Sequence, residues 1–134
     1  MMNIARSSQR KRVLLIDDDP DFCSLLKTLA KDLHIQLDTF QSLEGLGSLE
    51  RIHDYSLAIF DYDLGVSNGV ELAEYVDHFC DEVPVIIVSG QSRLKKQADT
   101  WPKSIQTFVS KKDGVYPILD SIMSHVHAKH FYAC

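Results

Sequence analysis

The chain has 134 residues and a formal charge of −5 at pH 7, with 45% hydrophobic and 25% charged side chains. This size and composition fit one globular domain with a real hydrophobic core and exclude a second domain of ordinary size. The acidic balance argues against direct nucleic-acid binding, because proteins that bind a duplex usually present a basic face.

The amino-terminal segment is basic but contains no apolar stretch of the kind found in signal peptides, and no run approaches membrane-spanning length. We therefore predict a disordered leader over residues 1–11, a folded domain over 12–127 and a short tail over 128–134. Cys23, Cys80 and Cys134 form an odd set that does not fit a disulfide framework. These features predict a cytoplasmic protein without a membrane anchor.

The first predicted strand is the apolar run 13–16, and Asp17, Asp18 and Asp19 follow it directly. Asp19 and Pro20 fit an N-cap and a first helical residue, since the carboxylate accepts backbone N–H groups and proline has none to leave unsatisfied. Apolar residues then recur at intervals of three and four, which predicts an amphipathic helix that packs on a sheet. They are Phe22, Leu25, Leu26, Leu29, Ala30 and Leu33.

Two kinds of strand follow from hydrophobic patterning. The segment 35–40 alternates apolar and polar residues, which is typical of a half-covered edge strand. The runs that end at Ile16, Phe60 and Val88 are continuously apolar, which is typical of strands buried on both faces. A shorter apolar run, 107–109, predicts the fifth strand.

Four further helices are predicted between and after these strands. A second helix over 43–49 carries an apolar stripe and is weakened by Gly45 and Gly47. A third opens after Asn68 and Gly69, and a short fourth covers about 93–101. The last helix has the clearest helical period, with Val115, Ile118, Leu119, Ile122, Met123 and Val126 on one face.

The alternation of strands and helices predicts an α/β fold, a doubly wound five-stranded parallel sheet of order 2-1-3-4-5. The carboxyl ends of the strands in such a sheet form the edge where ligands bind. Asp17 and Asp18 follow the first strand, Asp61 the third, Ser89 the fourth and Lys111 the fifth. We expect these side chains to converge at one edge.

The chemistry of this set suits a divalent cation together with a phosphoryl group. Carboxylate oxygens are good ligands for Mg²⁺, whereas a hydroxyl and an ammonium can face phosphoryl oxygens. Three carboxylates crowded at one edge also repel one another, which favours recruiting a cation near neutral pH.

The ordered set of an acidic pair, an Asp, a Ser and a Lys, each after its own apolar run, resembles the receiver domain of response regulators. This family is the phosphoacceptor module of two-component signalling and has a flavodoxin-like fold. The resemblance covers about residues 12–127 and implies that Asp61 accepts a phosphoryl group from a histidine kinase. It also implies that Mg²⁺ is held by Asp61, by Asp18 directly, by Asp17 through water and by the backbone carbonyl of Asp63.

The same resemblance implies roles for four other residues. Ser89 matches the hydroxyl that binds a phosphoryl oxygen, Gly90 the small residue that leaves the phosphate accessible, and Lys111 the ammonium that pairs with another oxygen. Phe108, three residues before the lysine, matches an aromatic switch. We expect the protein to catalyse its own phosphorylation without turning over an external substrate.

The resemblance also implies partners. Upstream these are a sensor histidine kinase or a phosphotransfer protein, and downstream an effector protein or an output domain outside this chain. A homodimer through the last helix is also compatible with the family.

Two departures from the family pattern leave alternatives open. Lys112 stands where the family usually has proline, and Gly65 stands in the loop after the acceptor where proline is common. A receiver-like interaction module that no longer needs phosphorylation is therefore one alternative. Because Asp61 and Asp63 also resemble the opening motif of haloacid-dehalogenase-like phosphatases, hydrolysis of phosphate esters is another. That family, however, places its metal-binding acidic pair after the lysine rather than before the nucleophile.

Overall fold

The computed structural model describes residues 11–64, 67–79, 83–90 and 100–132. The side chains of Ser67 and of residues 127–132 are outside this description. The predicted fourth helix over 93–101 falls almost wholly outside the described residues. Among the helices that are described, none is long and apolar enough to cross a membrane.

The described residues contain seven strands in two sheets. The strands are β1 (Lys11–Ile16), β2 (Ile35–Phe40), β3 (Leu57–Asp61), β4 (Asp63–Leu64), β5 (Ser67–Asn68), β6 (Val85–Ser89) and β7 (Ile105–Ser110). Five of them form a parallel sheet of order β2-β1-β3-β6-β7, and β4 pairs with β5 in a two-stranded antiparallel hairpin. When the hairpin is left out of the count, the large sheet has the predicted order 2-1-3-4-5. The hairpin itself was not predicted.

The described helices are α1 (Pro20–Asp32), α2 (Leu43–Leu46), α3 (Gly69–Phe79) and α4 (Tyr116–Tyr132), with 3₁₀ helices at Leu49–Asp54 and Lys111–Asp113. They cover both faces of the large sheet. One core cluster joins α1 and α4 to Val13, Leu15 and Ile59, and the other joins α3 to Leu14 and Ile16. Neighbouring residues of β1 belong to opposite clusters, because side chains alternate between the two faces of a strand.

The central strands are buried as their patterns predict. Every residue of β3 and β6 is buried, with exposures between 0% and 5%. Strand β2 lies at one edge of the sheet and pairs only with β1 among the described strands. The contrast between continuous and alternating apolar patterns therefore distinguished central strands from an edge strand correctly.

Helix α1 begins as the sequence predicts. The Asp19 carboxylate accepts from the backbone N–H groups of Asp21 and Phe22, and Pro20 is the first helical residue. However, not all of the predicted apolar face is buried, since Leu25 is 48% exposed and Leu33 is 38% exposed. The sheet covers only a narrow stripe of this helix.

The predicted second helix is interrupted. Helix α2 covers one turn and ends before Gly47, whose φ of 93° lies in the left-handed region that favours glycine. A 3₁₀ helix, Leu49–Asp54, follows with the Ser48 hydroxyl accepting from the Glu50 N–H group. Gly47, one of the two glycines that weaken the helical pattern of the sequence, therefore lies where the helix ends.

The third helix begins at Gly69, and the side chain of Asn68 accepts a hydrogen bond from the Glu71 N–H group.

Candidate functional site at the carboxyl edge of the sheet

The carboxyl edge of the large sheet brings the predicted polar residues together. Asp17 and Asp18 follow β1, Asp61 ends β3, Ser89 ends β6 and Lys111 follows β7 directly. The parallel register of β1, β3, β6 and β7 carries all four strand ends to the same side. The convergence predicted from the sequence is therefore observed for these five residues.

Three carboxylates lie close enough to share a cation. One oxygen from each of Asp17, Asp18 and Asp61 lies within 4.8 Å of the other two. Asp17 is 0% exposed and Asp61 is 5% exposed, whereas Asp18 faces solvent. Two buried acids with a third at the opening form an oxygen-rich cradle, and hard cations such as Mg²⁺ prefer oxygen ligands. The donor set therefore fits this ion.

Asp17 is held by groups on both of its carboxylate oxygens. Oδ1 accepts a hydrogen bond of 2.9 Å from the backbone N–H of Asp19. Oδ2 lies 2.7 Å from Nζ of Lys111, a close ion pair without the directionality of a hydrogen bond. The Cys23 thiol donates to the backbone carbonyl of Asp17 over 3.4 Å. Asp17 is thus a buried carboxylate whose cationic partner among the described residues is Lys111.

Asp61 is a buried carboxylate in a negative environment. Burial raises the pKa of its carboxyl to about 6, and the charge of Asp17 adds to the rise. Lys111, whose Nζ lies 3.4 Å from Oδ2, and the Asp63 N–H group, 3.2 Å from Oδ1, oppose this change in pKa. At neutral pH the ionised Asp61 lowers the stability of the folded chain. A bound divalent cation would offset this electrostatic cost.

Lys111 places its ammonium between Asp17 and Asp61. Burial works against its charge, but Asp17 and Asp61 outweigh burial and raise the pKa of Lys111 above its ordinary value. Its Nζ also lies 4.4 Å from the centre of the Phe22 ring, a cation–π distance. The Lys111–Lys112 peptide is trans, as expected for a bond that precedes a residue other than proline.

The remaining predicted residues surround this centre. Asp63 lies in β4 with its backbone N–H directed at Asp61, and Ser89 is fully buried. Gly90 is exposed, and a Cβ added to it would meet no atom of the described residues within 4 Å. Phe108 pairs in register with Ile87, two residues before Ser89. Its half-buried ring lies 6.0 Å from the ring of Trp101.

Two neighbours of the site were not singled out from the sequence. Gly69 lies against the strand that carries Asp61, since a Cβ there would lie 2.6 Å from the backbone oxygen of Asp61 and 3.0 Å from Cβ of Phe60. Phe22 was assigned only to the apolar face of the first helix. Neither role has a signal in the spacing of the sequence, because each depends on the approach of elements distant along the chain.

Comparison with known proteins gives consistent results. The family model described as response regulator receiver domain matches residues 13–122. A curated relative, the cell cycle transcriptional regulator CtrA of Caulobacter vibrioides, is 24% identical over 117 residues, which are 87% of this chain and 49% of CtrA. The chain therefore spans about half the length of the curated relatives it matches.

Solved structures support the fold. A CheY-like response regulator receiver domain protein from Methanospirillum hungatei is similar with a TM-score of 0.78 and 20% identity, over 92% of this chain and 98% of that one. The response regulator TrrA from Thermotoga maritima, solved in complex with Mg(2+)-BeF, is similar with a TM-score of 0.73 and 21% identity. That match covers 86% of this chain and 98% of TrrA.

Proposed function

The chain belongs to the response regulator receiver domain family of two-component signalling, and we propose that it accepts a phosphoryl group on Asp61 in a Mg²⁺-dependent reaction. The observation that carries this proposal is the placement of the buried Asp61 beside two further carboxylates and a lysine. A carboxylate that is ionised at neutral pH is a nucleophile for phosphorus, and Lys111 supplies a positive charge beside it.

The proposed transfer forms one bond to phosphorus and breaks another. A carboxylate oxygen of Asp61 forms a bond to the phosphorus atom of the donor. The bond from phosphorus to the leaving group breaks, and the leaving group departs with the electron pair. The natural donor would be the phosphohistidine of a sensor kinase or phosphotransfer protein, and acetyl phosphate can take its place in vitro. Because Asp61 is itself modified, we expect no turnover of an external substrate.

The acidic residues would hold the metal. Asp18, Asp61 and the backbone carbonyl of Asp63 are the proposed direct ligands, and Asp17 would act through bound water. Bound Mg²⁺ would supply positive charge opposite the phosphoryl oxygens during transfer. Lys111 would then pair with one phosphoryl oxygen, the Ser89 hydroxyl would bind another, and Gly90 would leave room for the group.

Intact mass tests the proposal. After incubation with acetyl phosphate and Mg²⁺, the native chain should carry one phosphoryl adduct. Asp61→Asn should carry none, and neither should the native chain with a chelator. Asp120→Asn, which removes an exposed carboxylate from α4, is the matched control and should be modified like the native chain.

Failure of this test would separate the two alternatives. Steady release of phosphate without an adduct would indicate a phosphatase, although the matched family argues against one. Neither adduct nor release would indicate a degenerate interaction module. Such a module would also gain no stability from Mg²⁺, whereas a competent site at ten times the dissociation constant of the ion gains about 1.4 kcal/mol.

We further propose that phosphorylation alters the surface around β7 and α4, where an effector, an output domain or a second copy of the chain would bind. A phosphoryl group on Asp61 would carry about two negative charges where the carboxylate carried one, and its acceptor oxygens would draw Ser89 toward it. Phe108 would move into the space that is released. The packing of its ring against Trp101 offers a way to observe this movement.

Trp101 is the single tryptophan of the chain, so its fluorescence reports on Phe108 directly. In the native chain, phosphorylation should change the emission of Trp101. Phe108→Ala should form the adduct normally, yet it should lose most of that change because the ring that moves is missing. An equal fluorescence change in both proteins would show that Phe108 is not the switch.

A further inference from the structure

The ammonium of Lys111 is contacted from three separate elements. Asp17 approaches from the end of β1 and Asp61 from the end of β3. The third contact is the aromatic face of Phe22 in the first turn of α1, with 4.4 Å between Nζ and the ring centre. The acids attract the charge, whereas the ring limits where the side chain can go. Lysine is a flexible, strongly hydrated cation, so its direction depends on such limits.

The position of the Phe22 ring is itself well determined. Its backbone N–H donates to the Asp19 carboxylate over 3.3 Å, so the N-cap of α1 fixes the residue. The side chain packs against the core cluster that contains Leu15 and Ile59. The ring is therefore anchored from behind and presents a face to Lys111.

Phosphoryl transfer would require Lys111 to change partners. In the structure its ammonium lies nearer to Asp17, at 2.7 Å, than to Asp61, at 3.4 Å. When a phosphoryl group reaches Asp61, the ammonium has to turn toward that group and not into water. An aromatic face attracts the cation without forming a directional bond, so it permits this turn while keeping the ammonium inside the site.

We infer that Phe22 is a positioning residue for phosphoryl transfer, whose ring holds the Lys111 ammonium over the acceptor by a cation–π contact. The inference rests on the proposed function of Asp61. It assigns a functional role to a residue whose spacing would otherwise indicate only helix packing. Phe22 acts through Lys111 and has no chemical role of its own.

The test compares variants of Phe22 that distinguish the effect of its aromatic face from the effect of its apolar volume. Phe22→Leu keeps an apolar side chain but removes the aromatic face. Its rate of phosphorylation by acetyl phosphate at fixed Mg²⁺ should fall about fivefold to twentyfold, in line with the loss of a partly desolvated cation–π contact. Phe22→Tyr restores an aromatic face and should return the rate to within about twofold of the native value.

Matched controls distinguish positioning from packing. Leu29→Ala removes apolar packing from the same helix and core cluster without touching Lys111, so it should lower stability and leave the phosphorylation rate unchanged. In a Lys111→Met background, Phe22→Leu should cause no further decrease in rate. In metal-free buffer the effects of Phe22→Leu and Lys111→Met on the free energy of unfolding should also be non-additive. This measurement does not depend on phosphorylation.

The outcomes are distinguishable. A native chain that forms no adduct would overturn the proposed function and this inference with it. Native phosphorylation together with an unaffected Phe22→Leu variant would overturn the inference alone. So would an equal effect of Phe22→Leu with and without Lys111, or a Phe22→Tyr variant as slow as Phe22→Leu.

Discussion

Replacing Lys111 by methionine is expected to lower the free energy of unfolding by about 3 kcal/mol near neutral pH in metal-free buffer. Asp17 is 0% exposed, and its Oδ2 lies 2.7 Å from the ammonium that this change removes. A buried carboxylate that loses its cationic partner strongly destabilises the folded state, because its charge is then uncompensated. We expect the lower end of the usual range, because the side chain of Lys111 is 22% exposed and Asp61 can take up a proton.

Denaturant unfolding measures this loss, and the chain offers a matched control. Arg12→Met breaks an ion pair with Asp38 whose side chains are 39% and 25% exposed. Exposed pairs contribute at most about 1 kcal/mol, so this variant should lose much less stability. Adding Asp17→Asn to Lys111→Met should restore most of the loss, because the orphaned charge is then absent. Equal losses for Lys111→Met and Arg12→Met would contradict the account.

Replacing Asp61 by asparagine is expected to have the opposite effect and to raise the free energy of unfolding by about 2 to 3 kcal/mol at neutral pH without metal. The pKa of Asp61 rises to about 6 from an ordinary value of 3.8, and each unit of pKa corresponds to about 1.4 kcal/mol. The ionised carboxylate is therefore less stable in the folded chain than in the unfolded chain. Asparagine removes that charge while keeping the shape.

The pH dependence of this gain follows from the sign of the pKa shift. Above about pH 6 the native carboxylate is ionised in both states, and the full advantage of Asp61→Asn is present. Between about pH 6 and 4 the folded native chain takes up a proton before the unfolded chain does, so the advantage declines. Below about pH 4 both states are protonated and the advantage disappears.

Unfolding measured across this pH range, with chelator present, checks the prediction. Asp120→Asn replaces an exposed carboxylate and is the control, which should change the free energy of unfolding by no more than about 0.5 kcal/mol. Added Mg²⁺ should narrow the difference between the native chain and Asp61→Asn, because the ion would stabilise the carboxylates that otherwise repel each other. A gain that is the same at acidic and neutral pH would rule out the electrostatic explanation.

These two opposite effects have one cause. The carboxyl edge of the sheet concentrates buried acids whose charge exceeds what Lys111 alone compensates. Carboxylates placed so close together could hold a divalent cation, whose charge would offset their repulsion.

Local patterns in the sequence predicted much of the architecture. Continuous apolar runs identified β1, β3 and β6 as central, and alternation identified β2 as an edge strand. Capping chemistry located the start of α1 at Asp19. Predictions that needed tertiary information were less complete, as shown by the exposed Leu25 and the unpredicted hairpin of β4 and β5.

The sequence by itself determined which residues reach the carboxyl edge of the sheet, because a polar residue that directly follows a strand of a parallel sheet lies at that edge. Only the tertiary structure decided how they pair there. It placed Lys111 nearer to Asp17 than to Asp61, set the Phe22 ring beside the ammonium and brought Gly69 against the acceptor strand. Such distances depend on how helices pack on the sheet and on which buried charges compensate one another. Neither is encoded in the spacing along any single segment.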